Sequence, residues 1–295
     1  MIKNIDEVIN KGNYPPVLLM FGEEEFLLDE AFSKLIKTLA SSEAAEFNLD
    51  IFDAEDSEVD IRRIVETSDS YPFMSERRIV AVKNFDKLFK GKKSKKQEKE
   101  AEPLLKYLDS PQPTTVLILI AELEKLRGVS VQLQNPKKKS TAEKKLNSAK
   151  FPFDKILEKH EWIEFPRVWD NQKADWVKNR LRSAGRKIDP NALELLLTQS
   201  SPELRDLNNE IEKIIIYLGE KSDITYDDVN FVVGSSRQYN VFELQNAIGE
   251  RSLTKSLQIT EKMLSAERKE MLIISVLTKY FSSLWRLLEE RGKST

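Results

Sequence analysis

The chain has 295 residues, of which 40% are hydrophobic and 33% are charged, and its formal net charge is −2. It has no cysteine and a single histidine, which excludes disulfides and thiolate zinc sites and disfavours histidine-based catalysis or metal binding. The length exceeds that of one typical domain, so two or three domains are expected. Because the net charge is small, any binding of nucleic acid would need a local basic surface.

The sequence predicts a cytoplasmic protein. No apolar run approaches the roughly 20 residues that are needed to cross a bilayer. The amino-terminal segment MIKNIDEVINKG lacks the apolar core of a signal peptide. We therefore expect no membrane partner.

Residues 1–166 alternate short apolar runs with helical patterns, which favours βαβ units and an α/β fold. Four runs rich in Val, Ile, Leu and Phe have the length and composition of strands covered on both faces, as in a parallel sheet: residues 17–21, 47–53, 79–83 and 116–121. Helical patterns lie between them, at residues 28–39, 60–67 and 102–108.

From Trp169 onward the pattern is helical almost throughout. The segment SPELRDLNNEIEKIIIYLG, residues 201–219, is the clearest helix, with Pro202 expected in its first turn and Gly219 just past its end. Further helices follow Gly234, including a long one from about residue 267 to about residue 290. The sequence predicts one α/β domain followed by two helical domains.

Two lysine-rich segments, KGKKSKKQEKEAE (90–102) and NPKKKSTAEKKLNSAK (135–150), have almost no large apolar residues. We interpret them as solvated, partly disordered loops inserted in the α/β domain. Their lysines could contact phosphates. A mobile polar loop is the preferred interpretation, because glutamates dilute the first segment and neither segment carries interleaved aromatic residues.

The stretch LLMFGEEEFLLDE, residues 18–30, has the strand–glycine–helix order of a phosphate-binding loop. In the pattern G-x-x-x-x-G-K-[ST], counted from Gly22, the required Gly, Lys and Ser/Thr are replaced by Leu27, Leu28 and Asp29. Glutamates at positions 23–25 place negative charge where phosphates would lie. We expect a degenerate P-loop with no bound cofactor or metal, and no catalytic residue.

The segment SYPFMSERRIVAVKN, residues 70–84, places four bulky residues in a connection before a predicted core strand. If Tyr71, Pro72, Phe73 and Met74 are exposed, they form an apolar patch of the kind that binds partner proteins. Alternatively, Phe73 folds back beneath the sheet. The residue pattern leaves both possibilities open.

Taken together, these segments resemble the delta subunits of the bacterial DNA polymerase III clamp loader. VLLMFGEEEFLLDEA resembles the opening of that family, and PFMSERRIVAVKN is similar to its clamp-contacting segment and following strand. SPELRDLNNEIEKIIIYL resembles the helix near the end of its second domain, and YNVFELQNAIGERSLTKSLQI resembles the start of its third. The likeness spans nearly the whole chain in the right order.

The resemblance implies an α/β plus all-α fold with three domains. These are an AAA+-like, clamp-binding domain without a functional P-loop at 1–166, a helical lid domain at 167–235, and a helical collar domain for oligomerisation at 236–295. Family members continue through further collar helices, so we expect this collar to be incomplete. The related delta-prime subunit usually carries cysteine zinc ligands, which this chain lacks.

The resemblance also implies a function. Phe73 would be the main wedge that enters a hydrophobic pocket of the beta sliding clamp, with Pro72 and Met74 beside it, although family members often have an aliphatic residue at position 72. The subunit would open the clamp for loading onto primed DNA during replication, without hydrolysing ATP. Its partners would be the clamp, the tau/gamma ATPase subunits, delta-prime and primer–template DNA, within the DNA polymerase III holoenzyme, a nucleotidyltransferase assembly at the replisome. The alternatives are an active AAA+ ATPase and a stand-alone DNA-binding protein that uses the lysine-rich segments.

Overall fold

The computed structural model describes residues 1–2, 4–40, 45–89, 95–236, 241–267 and 270–292. The chain divides into two compact units, Met1–Trp169 and Asp170–Thr295. Among the described residues, none of the helices is both long enough and apolar enough to cross a membrane.

The first unit contains a five-stranded sheet in which every neighbouring pair of strands is parallel. Its strands are β1 (Val17–Gly22), β2 (Leu49–Asp53), β3 (Arg78–Lys83), β4 (Thr115–Ala121) and β5 (Glu161–Phe165), in the spatial order β2-β3-β4-β1-β5. This confirms the predicted parallel α/β sheet. One boundary is wrong: residues 47 and 48 precede β2 and belong to a 3₁₀ helix, Ala45–Asn48.

Helices cover both faces of this sheet. They are α1 (Ile5–Lys11), α2 (Glu25–Leu39), α3 (Ile61–Asp69), α4 (Lys95–Asp109), α5 (Val129–Gln134), α6 (Lys139–Asn147) and α7 (Phe153–Lys159). Successive residues of a strand point to opposite faces. Accordingly Leu18 and Met20 of β1 pack in one core with α1 and α2, whereas Leu19 and Phe21 pack in the other with α3–α7.

Much of the two lysine-rich segments is helical, which corrects their prediction as loops. Residues 95–102 form the first half of α4, and residues 90–94 lie outside the described residues. Within residues 135–150, α6 is anchored by the fully buried Ala142 and the half-buried Leu146. Because one alanine and one leucine are enough for this narrow contact stripe, the composition of the segment does not reveal it.

The second unit is helical, as predicted. It contains α8 (Asp170–Ser183), α9 (Pro190–Gln199), α10 (Leu204–Leu218), α11 (Tyr226–Ser236), α12 (Val241–Gly249), α13 (Leu253–Glu267) and α14 (Glu270–Gly292), with a small parallel pair, β6 (Lys187–Ile188) and β7 (Asp223–Ile224). The prediction that Pro202 lies in the first turn of a helix is wrong, because α10 begins at Leu204. The division into domains at 167–235 and 236–295 stays a prediction.

Candidate partner-binding surface

The connection between α3 and β3 carries exposed apolar side chains. Tyr71, Phe73 and Met74 are 76%, 62% and 83% exposed, and Pro72 is half-buried. Phe73 therefore does not fold back beneath the sheet. Apolar side chains of this size, grouped on one connection, are typical of a surface that another protein covers. We call residues 71–74 the apolar loop.

The side chain of Asn48 fixes the backbone of Phe73 at the centre of the apolar loop. The Asn48 Nδ2 group donates a hydrogen bond to the Phe73 carbonyl oxygen (2.7 Å), and the Phe73 N–H donates to Asn48 Oδ1 (2.6 Å). Asn48 is fully buried, which shields its side of these bonds from water. The ring of Phe73 remains exposed while its backbone is fixed.

Two arginines hold the chain that follows the apolar loop. The Nη2 group of Arg78, at the start of β3, pairs with Asp50 Oδ2 of β2 at 2.6 Å. The guanidinium of Arg77 lies 5.5 Å from the ring centroid of Tyr14, within the range of a cation–π contact. Within the loop, Met74 has a φ of 50°, which is uncommon for a residue other than glycine and turns the chain sharply after Phe73.

Phe47 and Asn48 also belong to this region, although the sequence pattern does not indicate it. The pattern predicts a buried strand at Phe47, but this residue lies in the 3₁₀ helix and is 73% exposed. It directly precedes Asn48, the residue that binds the backbone of Phe73. No local pattern could reveal this, because Asn48 and Phe73 are 25 positions apart in the sequence.

The turn after β1 is too short for a phosphate-binding loop. The strand ends at Gly22 and α2 begins at Glu25, so two residues, Glu23 and Glu24, connect them. Their backbone N–H groups both donate to the carbonyl oxygen of Phe165 in β5, at 2.9 and 3.1 Å. In a P-loop, such donors bind phosphate oxygens. Here both N–H groups donate to a backbone carbonyl oxygen instead.

The degenerate P-loop positions lie inside α2. Leu27, Leu28 and Asp29 belong to its first two turns, and Leu28 is buried against the sheet. A lysine at position 28 would therefore point into the core and not toward a phosphate. The helical register and the residue types at these three positions therefore differ from those of a P-loop.

Acidic groups surround the same end of the sheet. The buried carboxylate of Glu164 accepts hydrogen bonds from the N–H groups of Gly128 (2.5 Å) and Ser130 (2.6 Å), at the start of α5. The Arg127 guanidinium lies 3.8 Å from Glu23 and 3.5 Å from Glu122. At this edge, the carboxylates of the protein thus accept hydrogen bonds from the backbone donors and pair with the cation.

A basic surface lies along α6 and the residues just before it. Lys137, Lys138, Lys139 and Lys144 are exposed. Within the part of the chain that the structure describes, none of the four forms an ion pair with an acidic residue. This surface could contact a polyanion through its charge.

Two titratable groups of this unit have shifted pKa values, the half-buried His160 and the buried Tyr107. The Nε2 atom of His160 is 2.9 Å from the carbonyl oxygen of Leu108, and burial lowers the pKa of this histidine. Burial, aided by the negative charge of Asp69, raises the pKa of Tyr107 to about 12. Over the described ranges of the chain, no group of three His, Cys, Asp or Glu residues could hold a metal ion.

Comparison with known proteins gives a consistent result. The family model described as DNA polymerase III, delta subunit, matches residues 18–160. The chain is 31% identical to DNA polymerase III subunit delta of Bacillus subtilis (strain 168) over 282 residues, which cover 95% of this chain and 75% of the relative. It is 26% identical to the probable DNA polymerase III subunit delta of Aquifex aeolicus (strain VF5) over 281 residues, covering 94% and 72%.

A solved structure of the Bacillus subtilis DNA clamp loader delta protein is similar to this chain with a TM-score of 0.67 at 28% identity. The similarity covers 98% of this chain and 79% of that protein. It extends the likeness beyond the sheet-containing unit to the helical unit.

Proposed function

Because the chain belongs to the family of DNA polymerase III delta subunits, which are components of the clamp loader, we propose that it binds and opens the beta sliding clamp. In this proposal Phe73 is the main contact, with Pro72 and Met74 beside it, and the opened ring is loaded onto primed DNA during replication. The same likeness confirms the AAA+-like fold class that the sequence resemblance implied.

The observation that supports this proposal best is the exposure of Phe73 on a fixed backbone. The residue is 62% exposed while both of its backbone polar groups are hydrogen-bonded to Asn48. A single aromatic side chain that enters a pocket at an interface typically contributes about 2–4 kcal/mol to binding. If this contact forms more favourably with an opened clamp than with a closed one, binding shifts the population of rings toward the open state.

We also propose that this subunit does not hydrolyse ATP. The turn of two residues after β1 and the hydrogen bonds of Glu23 and Glu24 to Phe165 support this. ATP hydrolysis would belong to the tau/gamma subunits, which assemble with this chain and delta-prime and control access to the apolar loop. Titration with ATP and Mg²⁺ in a calorimeter should give no binding heat, and micromolar affinity would support the active AAA+ ATPase instead.

The clamp-binding proposal is tested by measuring the affinity of the full chain for the beta clamp. The variant Phe73→Ala should bind at least about 30-fold more weakly than wild type, the equivalent of about 2 kcal/mol. Phe231→Ala is the matched control, because Phe231 in α11 is 61% exposed and is also an aromatic residue of the surface. Equal affinity of Phe73→Ala and wild type would contradict the proposal.

DNA binding by the lysine-rich surface of α6 is a second candidate function, favoured by its four exposed lysines. Alanine at positions 137, 138 and 139 should weaken binding to primed DNA. The slope of log K against log salt concentration should become shallower by an amount that corresponds to about three phosphate contacts. Substitution is preferable to deletion, because deletion of α6 would remove the buried Ala142 from the core. Unchanged affinity and salt dependence would exclude this surface.

A further inference from the structure

We propose that Asn48 is a positioning residue of the clamp contact: it acts through the backbone of Phe73 and fixes that residue before the clamp arrives. This inference rests on the proposed function. It adds a residue that lies outside the apolar loop in sequence and that is buried, so it would not touch the clamp itself.

The two hydrogen bonds have a geometry that restrains a backbone strongly. One amide group binds both the N–H and the C=O of the same residue, at 2.6 and 2.7 Å. Rotation of the Phe73 backbone in either direction would break at least one of these bonds. The conformation that keeps both also leaves the ring exposed.

Asn48 is itself carried by a rigid part of the fold. It ends the 3₁₀ helix that leads directly into β2, and the first residue of β2, Leu49, is in register with Ile79 of β3. The apolar loop leads into the same β3 strand. Asn48 and the apolar loop are therefore attached to neighbouring strands of one sheet, and we expect the distance between them to be constant.

Loss of the two hydrogen bonds between Asn48 and Phe73 should weaken clamp binding without removing any atom that contacts the clamp. Freed of Asn48, the loop would sample conformations in which Phe73 is not presented, and the clamp would have to order it upon binding. We expect Asn48→Ala to raise the Kd for the clamp about tenfold, which corresponds to about 1.4 kcal/mol. Phe73→Ala should have a larger effect, because it removes the contact itself.

The experiment uses the full chain and two measurements. The first is the hydrogen-exchange rate of the Phe73 amide, which needs no clamp, and the second is the affinity for the beta clamp. Asn48→Ala should accelerate exchange at Phe73 at least tenfold and weaken binding about tenfold. Asn208→Ala is the matched control, since Asn208 is a buried asparagine in α10, and this variant should change neither quantity, whatever its melting temperature.

A second variant guards against simple unfolding of Asn48→Ala. Asn48→Asp has nearly the same volume and can still accept from the Phe73 N–H, but its carboxylate has no hydrogen to offer the Phe73 carbonyl oxygen. Once circular dichroism shows that it is folded, it should also bind about tenfold more weakly. If a folded Asn48 variant binds within twofold of wild type while Phe73→Ala loses binding, the positioning role is wrong and the proposed function stands. If Phe73→Ala binds as well as wild type, both proposals fail.

Discussion

Gly22 and Phe165 face each other at the ends of β1 and β5, and a Cβ atom added to Gly22 would lie 2.1 Å from the Phe165 carbonyl oxygen. The same carbonyl oxygen accepts hydrogen bonds from Glu23 and Glu24. The glycine that resembles the first residue of a P-loop therefore serves a close contact between two strands.

Gly22→Ala should destabilise the fold severely, because the added Cβ would clash with the backbone carbonyl of Phe165, which cannot move away as a flexible side chain could. We expect a loss of about 3 kcal/mol or more in the free energy of unfolding, measured by urea denaturation. Gly12→Ala is the control. Gly12 has a φ of 62° but no atom within 4 Å of the added Cβ, so the cost should be limited to about 1 kcal/mol of backbone strain. Equal losses for the two variants would show that the contact with Phe165 is unimportant.

Glu164→Ala should destabilise the first unit by about 2–4 kcal/mol, because it leaves the N–H groups of Gly128 and Ser130 without their buried acceptor. Glu164→Gln keeps one acceptor oxygen and should lose roughly half as much. The control, Glu161→Ala, removes an exposed carboxylate of the same strand that pairs with the amino terminus. It should cost under about 1 kcal/mol in the same denaturation assay.

The single histidine provides a direct test of its half-buried environment beside Leu108. Burial disfavours the charged form of His160, so its NMR titration in the folded chain should have a midpoint below the value of the urea-unfolded chain, which we expect near 6.5. Because the unfolded chain then binds more protons, the contribution of His160 to stability is complete above about pH 6.5 and decreases as the pH falls below it. A folded-state midpoint at or above the unfolded one would contradict this environment.

Tyr107 should make the fold sensitive to alkali. With a pKa of about 12 in the folded chain and about 10 when unfolded, this phenol loses its proton first in the unfolded state, so stability falls as the pH rises above 10. Wild type should lose about 1.4 kcal/mol relative to Tyr107→Phe between pH 8 and pH 11. Urea denaturation of both proteins at the two pH values measures this difference, and an unchanged difference would mean that the phenol is solvated.

The elements that can be predicted from sequence are those whose signal is local. The runs that form β1, β3 and β4 are apolar because both faces of the sheet are covered, and the stripe of α2 is visible at helical spacing. The helix α6 is not predicted because only Ala142 and the half-buried Leu146 pack against the core. The strands β6 and β7 are not predicted because each has only two residues.

The candidate surface can be predicted in part for the same reason. Four bulky residues before a core strand stand out in the sequence, but their exposure depends on what the rest of the chain leaves uncovered. Asn48 carries no local signal at all, since its role consists of bonds to a residue far along the chain.

The hydrogen bonds between Asn48 and Phe73 join positions 25 residues apart, so the conformation of the apolar loop is a product of tertiary structure. A synthetic peptide that copies residues 70–78 would contain every apolar side chain of the loop but not the group that fixes its backbone. Such a peptide should be a poor competitor of the intact protein, and an inhibitor that imitates this loop would need a cyclic or otherwise constrained scaffold to replace the missing asparagine.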